Sequence, residues 1–120
     1  MADPRPAVGG LVVRVAGNRW FIPVANVLEV LRQPEVIRAP GAVAAVRGMV
    51  NHRGRVLTVA DAMRALELPG DAGTGTEMVV VEVAAHRFAI AVDAVVELSA
   101  EARTGLAELD LGRIAAAIFA

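Results

Sequence analysis

The clearest alternation of apolar and polar positions lies at residues 48–61. Apolar residues come before residue 51 and after residue 55, and the residues between them are polar or turn-forming. This order predicts two strands joined by a tight turn. Gly54 can adopt a positive φ at a hairpin corner without steric cost, so the turn would hold the planar guanidinium of Arg53 out at its tip.

The remaining pattern predicts many short elements with turn signals about every ten residues, which is typical of small β-barrels rather than a parallel sheet. No internal repeat supports this independently. Strands are expected at 11–16, 19–24, 36–38, 77–83, 87–92 and 95–98, a helix capped by Asp61 at 62–68, and a C-terminal helix at 111–119.

Three further segments carry shorter patterns. Asn26 is expected to cap a short helix whose Val27, Val30 and Leu31 face inward at i, i+3 and i+4. Residues 42–46 are expected to form one helical turn, and residues 106–111 are apolar without a defined type. Asp93 follows a strand and is expected to accept a hydrogen bond from backbone N–H groups.

Four segments in a fixed order carry a family pattern. They are residues 17–30, with an aromatic residue before Ile-Pro and then Val-x-Glu-Val, residues 37–42, residues 48–61, with Asn-x-Arg-Gly, and residues 79–95, with Val-Asp-x-Val. Together they resemble CheW-like domains, the coupling proteins of bacterial chemosensory arrays. The resemblance spans roughly residues 10–98.

The resemblance implies a mainly β fold of two small SH3-like five-stranded barrels with short helices. Residues 10–120 would form one such domain behind a flexible leader at 1–9. The chain departs from the family after residue 98, because residues 99–105 lead almost directly to the last helix. About 20–30 residues of the family pattern have no counterpart here, so we expect one barrel to be truncated, with an unpaired edge or a lost docking surface.

The implied function is that of a non-catalytic chemosensory adaptor in the cytoplasm, recruited to receptor arrays. Its implied partners are the regulatory domain of a CheA-type histidine kinase and the cytoplasmic tip of a methyl-accepting chemoreceptor. The reduced C-terminal part suggests an accessory form, with a Frz-type chemosensory system as one setting. The candidate partner-binding residues are Arg53, Gly54, Asn51, His52, Arg47, Arg55, Glu29 and Val27.

Several of these residues have a structural alternative. His52 stands where the family has an apolar residue; a solvent-facing position is expected, with a partner contact or a pH-responsive group as alternatives. Asn51 is a turn former or a contact. Glu29, placed on the short helix, belongs to a solvated face or to an interface. Val27, with Leu28 and Val30, belongs to the core or to an interface.

Composition narrows the function classes. At 120 residues the chain is one domain, and its 56% apolar residues leave room for apolar surface that binds partners. The net charge of −1 is dispersed and aromatic residues make up 3%, so neither a basic stripe nor a base-stacking platform is present and nucleic acid is not an expected partner. The apolar runs are too short to insert into a membrane, and the absence of cysteine fits a cytosolic protein.

The supply of reactive side chains argues against catalysis. The chain has no Cys, Tyr or Lys, and its two histidines are far apart and flanked by Arg, a poor setting for a metal. No cofactor site is expected. The alternatives are a small-ligand or nucleic-acid binding β-barrel that shares only the architecture, and a decoy that occupies one partner without completing the complex. The sequence also leaves open a strand-exchanged homodimer.

Overall fold

The computed structural model describes residues 9–32, 34–38, 41–70, 77–99 and 106–119. The strands in these ranges are β1 (Gly10–Val15), β2 (Asn18–Pro23), β3 (Val27–Arg32), β4 (Val36–Ile37), β5 (Val46–His52), β6 (Arg55–Ala60), β7 (Glu77–Val83), β8 (His86–Val92) and β9 (Ala94–Ser99). The α-helices are α1 (Ala62–Ala65) and α2 (Leu111–Phe119), and a 3₁₀ turn occupies Val24–Asn26. The fold is mainly β, as predicted.

The strands form two sheets. The smaller sheet has the order β2-β1-β9, and the larger has the order β3-β7-β8-β6-β5-β4. All pairs are antiparallel except β6 with β8, which run parallel through Val59 and Ala60. The described residues therefore contribute three strands to one unit and six to the other, whereas the family pattern predicted two five-stranded barrels, one of them truncated.

The core lies around strands β7 and β8 of the larger sheet. Residues 78–81 of β7 and 88–92 of β8 are all buried, so both faces of these strands are covered. Continuous apolar runs are the pattern expected of strands that are covered on both faces. Helix α2 packs against β6, β7 and α1 and buries Leu111, Ile114 and Ala115. Its bounds agree with the predicted C-terminal helix.

The two sheets are tied together where β8 leads into β9. Asp93 Oδ2 accepts a hydrogen bond from the backbone N–H of Ala16 at 3.0 Å, and the Asp93 N–H donates to the Arg14 carbonyl at 2.9 Å. The predicted structural role of Asp93 is confirmed. Residues 106–110, which the sequence left unassigned, run beside β2: Phe21 N–H donates to the Ala107 carbonyl at 2.8 Å, and Leu109 N–H donates to the Phe21 carbonyl at 2.9 Å.

The helix that follows β6 begins as predicted but ends earlier. The Asp61 side chain accepts from the Arg64 N–H at 3.2 Å, which confirms the N-cap, and Met63 and Leu66 pack inward. The helix stops at Ala65 rather than Leu68 because Glu67 adopts a φ of 56°. Leu68 N–H then bonds the Met63 carbonyl and Glu67 N–H bonds the Arg64 carbonyl, a Schellman ending.

One further helical prediction was wrong, and another was confirmed only as a single turn. Residues 27–32 form strand β3, paired with β7 from Val27↔Val81 to Arg32↔Glu77. The apolar spacing of Val27, Val30 and Leu31 fits a helix, but pairing with β7 determines the structure. β-branched residues such as valine also favour a strand. Residues 42–46 contain a single turn closed by Val46 N–H and the Val43 carbonyl at 2.9 Å, without a helix.

Candidate functional site at the Arg53 hairpin

The hairpin between β5 and β6 is a two-residue turn with Arg53 and Gly54 at its centre; we call residues 51–55 the Arg53 hairpin. Arg53 has a φ of 54° and Gly54 a φ of 82°, as a type I′ turn requires at both positions. A left-handed conformation costs a non-glycine residue about 1–2 kcal/mol. Asn51 Oδ1 accepts from the Gly54 N–H at 3.0 Å and offsets part of that cost. The predicted turn is confirmed, and Asn51 is a turn former.

Glu29 reaches the Arg53 hairpin from the far edge of the larger sheet. Its Oε1 lies 2.7 Å from His52 Nε2 and accepts from Arg53 Nε at 3.1 Å. Strand β3 and strand β5 stand four strand spacings apart in the sheet order, about 19 Å if the sheet were flat. The contact therefore requires the sheet to curl on itself, and Glu29 closes the resulting barrel at this end.

The three side chains differ sharply in exposure. The His52 side chain is 6% exposed, Glu29 35% and Arg53 77%. The prediction that His52 faces solvent was wrong, because barrel closure turns its ring inward onto β3. Glu29 lies on a strand instead of the predicted helix, where alternation along β3 aims its carboxylate at the Arg53 hairpin.

Hydrogen bonding sets the electrostatics of this cluster. The hydrogen bond from His52, followed by that from Arg53, holds the pKa of the Glu29 carboxyl below its ordinary value of 4.5. An ionised carboxylate only accepts hydrogen bonds, so His52 must carry its hydrogen on Nε2. His52 Nδ1 is buried and has no hydrogen-bond partner among the described residues, which carries a desolvation cost.

Arg47 was predicted to sit around the same hairpin, but it lies at the other end of β5. It lies six positions before Arg53 along an extended chain, a distance of about 20 Å. Its Nη1 lies 3.7 Å from Asp61 Oδ2, and Arg64 Nε lies 3.7 Å from the same oxygen. Arg47 therefore neutralises the buried helix cap rather than joining the Arg53 hairpin.

The other predicted residues flank the cluster. Arg55 is exposed and pairs with His52 across the hairpin. Val27 is half-buried, packs against the core and pairs with Val81, which favours its core alternative. Leu28, its neighbour, is exposed.

An exposed apolar surface adjoins the Arg53 hairpin, and residue-level prediction did not find it. Ile37 is opposite Met49 and Asn51 is opposite Val56, so these side chains share the outer side of β4, β5 and β6, which we call the β4–β6 face. Ile37 is 59% exposed and Val56 63%. Apolar strand residues of this kind give no local signal of exposure, since the side that faces solvent depends on the curl of the sheet.

Comparison with known proteins identifies the family. The model of the CheW-like domain matches residues 9–106, which includes both sheets and the Arg53 hairpin. The chain belongs to the CheW-like domain family. A curated relative, Protein FrzA of Myxococcus xanthus, is 38% identical over 74 residues, which are 62% of this chain and 46% of FrzA.

The solved structures include a fold of the same kind. The crystal structure of the scaffolding protein TtCheW from Thermoanaerobacter tengcongensis superposes with a TM-score of 0.70 and 20% sequence identity, covering 81% of this chain and 66% of that chain. This CheW-like domain thus spans less than half the length of the curated relative and about two thirds of the solved structure.

Metal-binding groups and membrane-spanning helices were both absent from the described residues. In the described ranges of this CheW-like domain, no group of three or more His, Cys, Asp or Glu side chains is placed to hold a metal ion. Within the same ranges, no helix has the length and apolar character to cross a membrane.

Proposed function

We propose that this chain is a non-catalytic chemosensory adaptor that couples methyl-accepting chemoreceptors to a CheA-type histidine kinase in the cytoplasm. Membership of the CheW-like family supports the class of function. The observation that carries the proposal is the position of Arg53 at the tip of the hairpin, where its guanidinium is mostly exposed. Among the described residues the guanidinium bonds only Glu29, and it does so through Nε. Its two terminal nitrogens remain free to bind an acidic group of a partner.

The β4–β6 face supports protein binding rather than ligand binding. Its apolar side chains Ile37, Met49 and Val56 are exposed, and the polar side chain of Asn51 lies on the same side at the end next to Arg53, so the surface combines an apolar centre with a polar margin. Interfaces of adaptor proteins have an apolar core within a polar rim. We propose that the kinase regulatory domain or the receptor tip covers this face while Arg53 meets an acidic residue at its edge.

The short C-terminal part suggests an accessory form of the adaptor. Only residues 100–110 separate β9 from α2, and the smaller sheet has three described strands. A family member with fewer strands in one unit has less surface with which to bind two partners at once. We propose that this chain binds one partner tightly and extends an array poorly. A decoy that occupies one partner without completing the complex is one form of this behaviour.

A pull-down with separate partners tests the proposal. Wild type, Arg53→Glu and the control Arg19→Glu, an exposed arginine on β2 of the other sheet, are each mixed with a kinase regulatory domain and with a receptor signalling fragment. We expect wild type and Arg19→Glu to bind at least one partner and Arg53→Glu to bind it at least tenfold more weakly. Binding of wild type to neither partner would overturn the proposed function.

A reconstituted kinase assay separates adaptor from decoy. The chain is titrated into a mixture of receptor fragment and kinase, and kinase autophosphorylation is measured. A rise in activity with added protein supports an adaptor. A fall supports a decoy that occupies a partner without completing the complex.

A further inference from the structure

His52 occupies an unusual position for a polar side chain. It is the last residue of β5 and its side chain is 94% shielded from solvent, since 6% remains exposed. Its one described hydrogen bond is the 2.7 Å contact from Nε2 to Glu29 Oε1, and Nδ1 has no partner in the part of the chain that the structure describes. Burying a ring nitrogen unsatisfied carries a cost, which an apolar residue at this position would avoid.

What the buried imidazole provides is a fixed donor for Glu29. An exposed Arg–Glu pair is worth at most about 1 kcal/mol and does little to hold two long side chains in one geometry. The pair of Arg53 with Glu29 is of this kind, because the Arg53 side chain is 77% exposed. The ring of His52 is buried and contacts the same Oε1 atom, so it restrains the carboxylate that accepts the hydrogen bond from Arg53 Nε.

We infer that His52 is a positioning residue for the Arg53 hairpin: it fixes Glu29 Oε1, and Glu29 in turn holds Arg53 with its terminal nitrogens directed at the partner. The inference deepens the proposed function, on which its relevance to binding rests. It assigns specificity to a residue that never touches the partner. A merely structural His52 would contribute to stability without affecting the order of the Arg53 side chain.

The test compares three substitutions at His52 with a control. His52→Leu removes the donor and keeps an apolar side chain of similar size in the buried site. His52→Gln places an amide N–H where Nε2 was, and His52→Asn carries the same amide too short to reach Glu29. His86→Leu is the matched control, because His86 also borders a two-residue hairpin turn but stacks on Phe119 at a centroid distance of 4.8 Å.

The first readout needs no partner. In the isolated protein, long-range ¹H–¹⁵N correlations report the tautomer of His52, and ¹⁵N relaxation reports the mobility of the Arg53 Nε–H. We expect His52 of the wild type to be the Nε2–H tautomer. The Arg53 Nε–H should be ordered in wild type, His52→Gln and His86→Leu. It should be mobile in His52→Leu and His52→Asn. An Nδ1–H tautomer would overturn the inference. So would an Arg53 signal as ordered in the variants that lack the donor as in wild type.

The second readout measures binding to the partner that wild type retains in the pull-down. We expect His52→Leu and His52→Asn to bind roughly two- to tenfold more weakly than wild type, because the Arg53 side chain must then be ordered during binding. His52→Gln should bind as well as wild type. Equal affinity of all variants would overturn the positioning role in binding. If wild type binds no partner, the proposed function fails, while the relaxation data still decide whether His52 positions Arg53.

Discussion

The Asp93 carboxylate and the Ala16 backbone N–H are 77 positions apart in the chain and form a hydrogen bond of 3.0 Å. Ala16 has a φ of 53°, so it sits in a left-handed turn whose N–H would otherwise lack a partner in the described structure. The bond joins the β1–β2 turn to the passage from β8 into β9. Asp93 thus connects the smaller sheet to the larger.

Removing this acceptor should destabilise the protein. We expect Asp93→Ala to lower the free energy of unfolding by about 1.5–3 kcal/mol, because a half-buried N–H loses a charged acceptor. Asp93→Asn keeps a side-chain oxygen and should lose less. Urea unfolding followed by circular dichroism measures both. Equal losses in the two variants would contradict the assignment of the bond as the cause.

Glu29 should make stability depend on pH in the acid range. Its folded pKa lies below the ordinary value of 4.5, so the unfolded chain binds a proton more readily than the folded one. The stabilisation is therefore complete above about pH 4.5 and is lost as the pH falls through the folded pKa. We expect the difference in unfolding free energy between wild type and Glu29→Gln to shrink between pH 5 and pH 3.

The same titration in a His52→Leu background provides the control. The hydrogen bond from His52 is the main cause of the lowered pKa, so the pH dependence of the Glu29→Gln difference should be weaker there. A double-mutant cycle isolates this coupling. A difference that stays constant with pH in wild type would show that Glu29 is not held by these bonds.

Two glycines should respond in opposite directions to alanine. A Cβ on Gly48 would lie 2.5 Å from the Ile37 carbonyl oxygen, and its φ is 155°. We expect Gly48→Ala to cost about 1–3 kcal/mol, as overpacking does. On Gly112, in α2, the nearest atom would be Asp110 Oδ1 at 3.7 Å, so Gly112→Ala should stabilise by about 0.5–1 kcal/mol. Chemical unfolding of both variants measures the two signs.

The β7–β8 hairpin carries strain that can be relieved. Ala84 and Ala85 have φ values of 47° and 70°, the turn geometry that Asn-Gly adopts readily. Replacing the pair by Asn-Gly should raise the unfolding free energy by about 1–2 kcal/mol. Gly17→Ala is the converse control, since Gly17 has a φ of 83° and open space around it, and it should destabilise. A neutral result in both would show that these turns relax without cost.

Local signals were sufficient for the elements that local chemistry determines. The Arg53–Gly54 turn, the Asp61 cap and helix α2 all follow from residues within a few positions of one another, and all three are confirmed. Strand β3 was missed because its apolar spacing also fits a helix, and pairing with β7, about 50 positions away, decides between the two.

The candidate site depends on a longer-range relationship. His52 looked solvent-facing because its neighbours in sequence are polar turn residues. Its burial follows from the curl that brings β3 against the Arg53 hairpin, a contact across 23 positions that no local pattern encodes. The β4–β6 face escaped prediction for the same reason, since the curl decides which side of each strand meets solvent.

Side-chain hydrogen bonds, rather than backbone hydrogen bonds between strands, close the barrel at the end next to Arg53. Strands β3 and β5 share no backbone pairing, and Glu29 Oε1 bridges them through His52 and Arg53. A protein that binds the terminal nitrogens of Arg53 therefore further restrains the Nε bond to Glu29, which is one of the bonds that hold β3 at this end. Partner binding by Arg53 and closure of this barrel end both depend on Glu29 Oε1. Hydrogen exchange along β3 would therefore report whether a partner occupies the neighbouring hairpin.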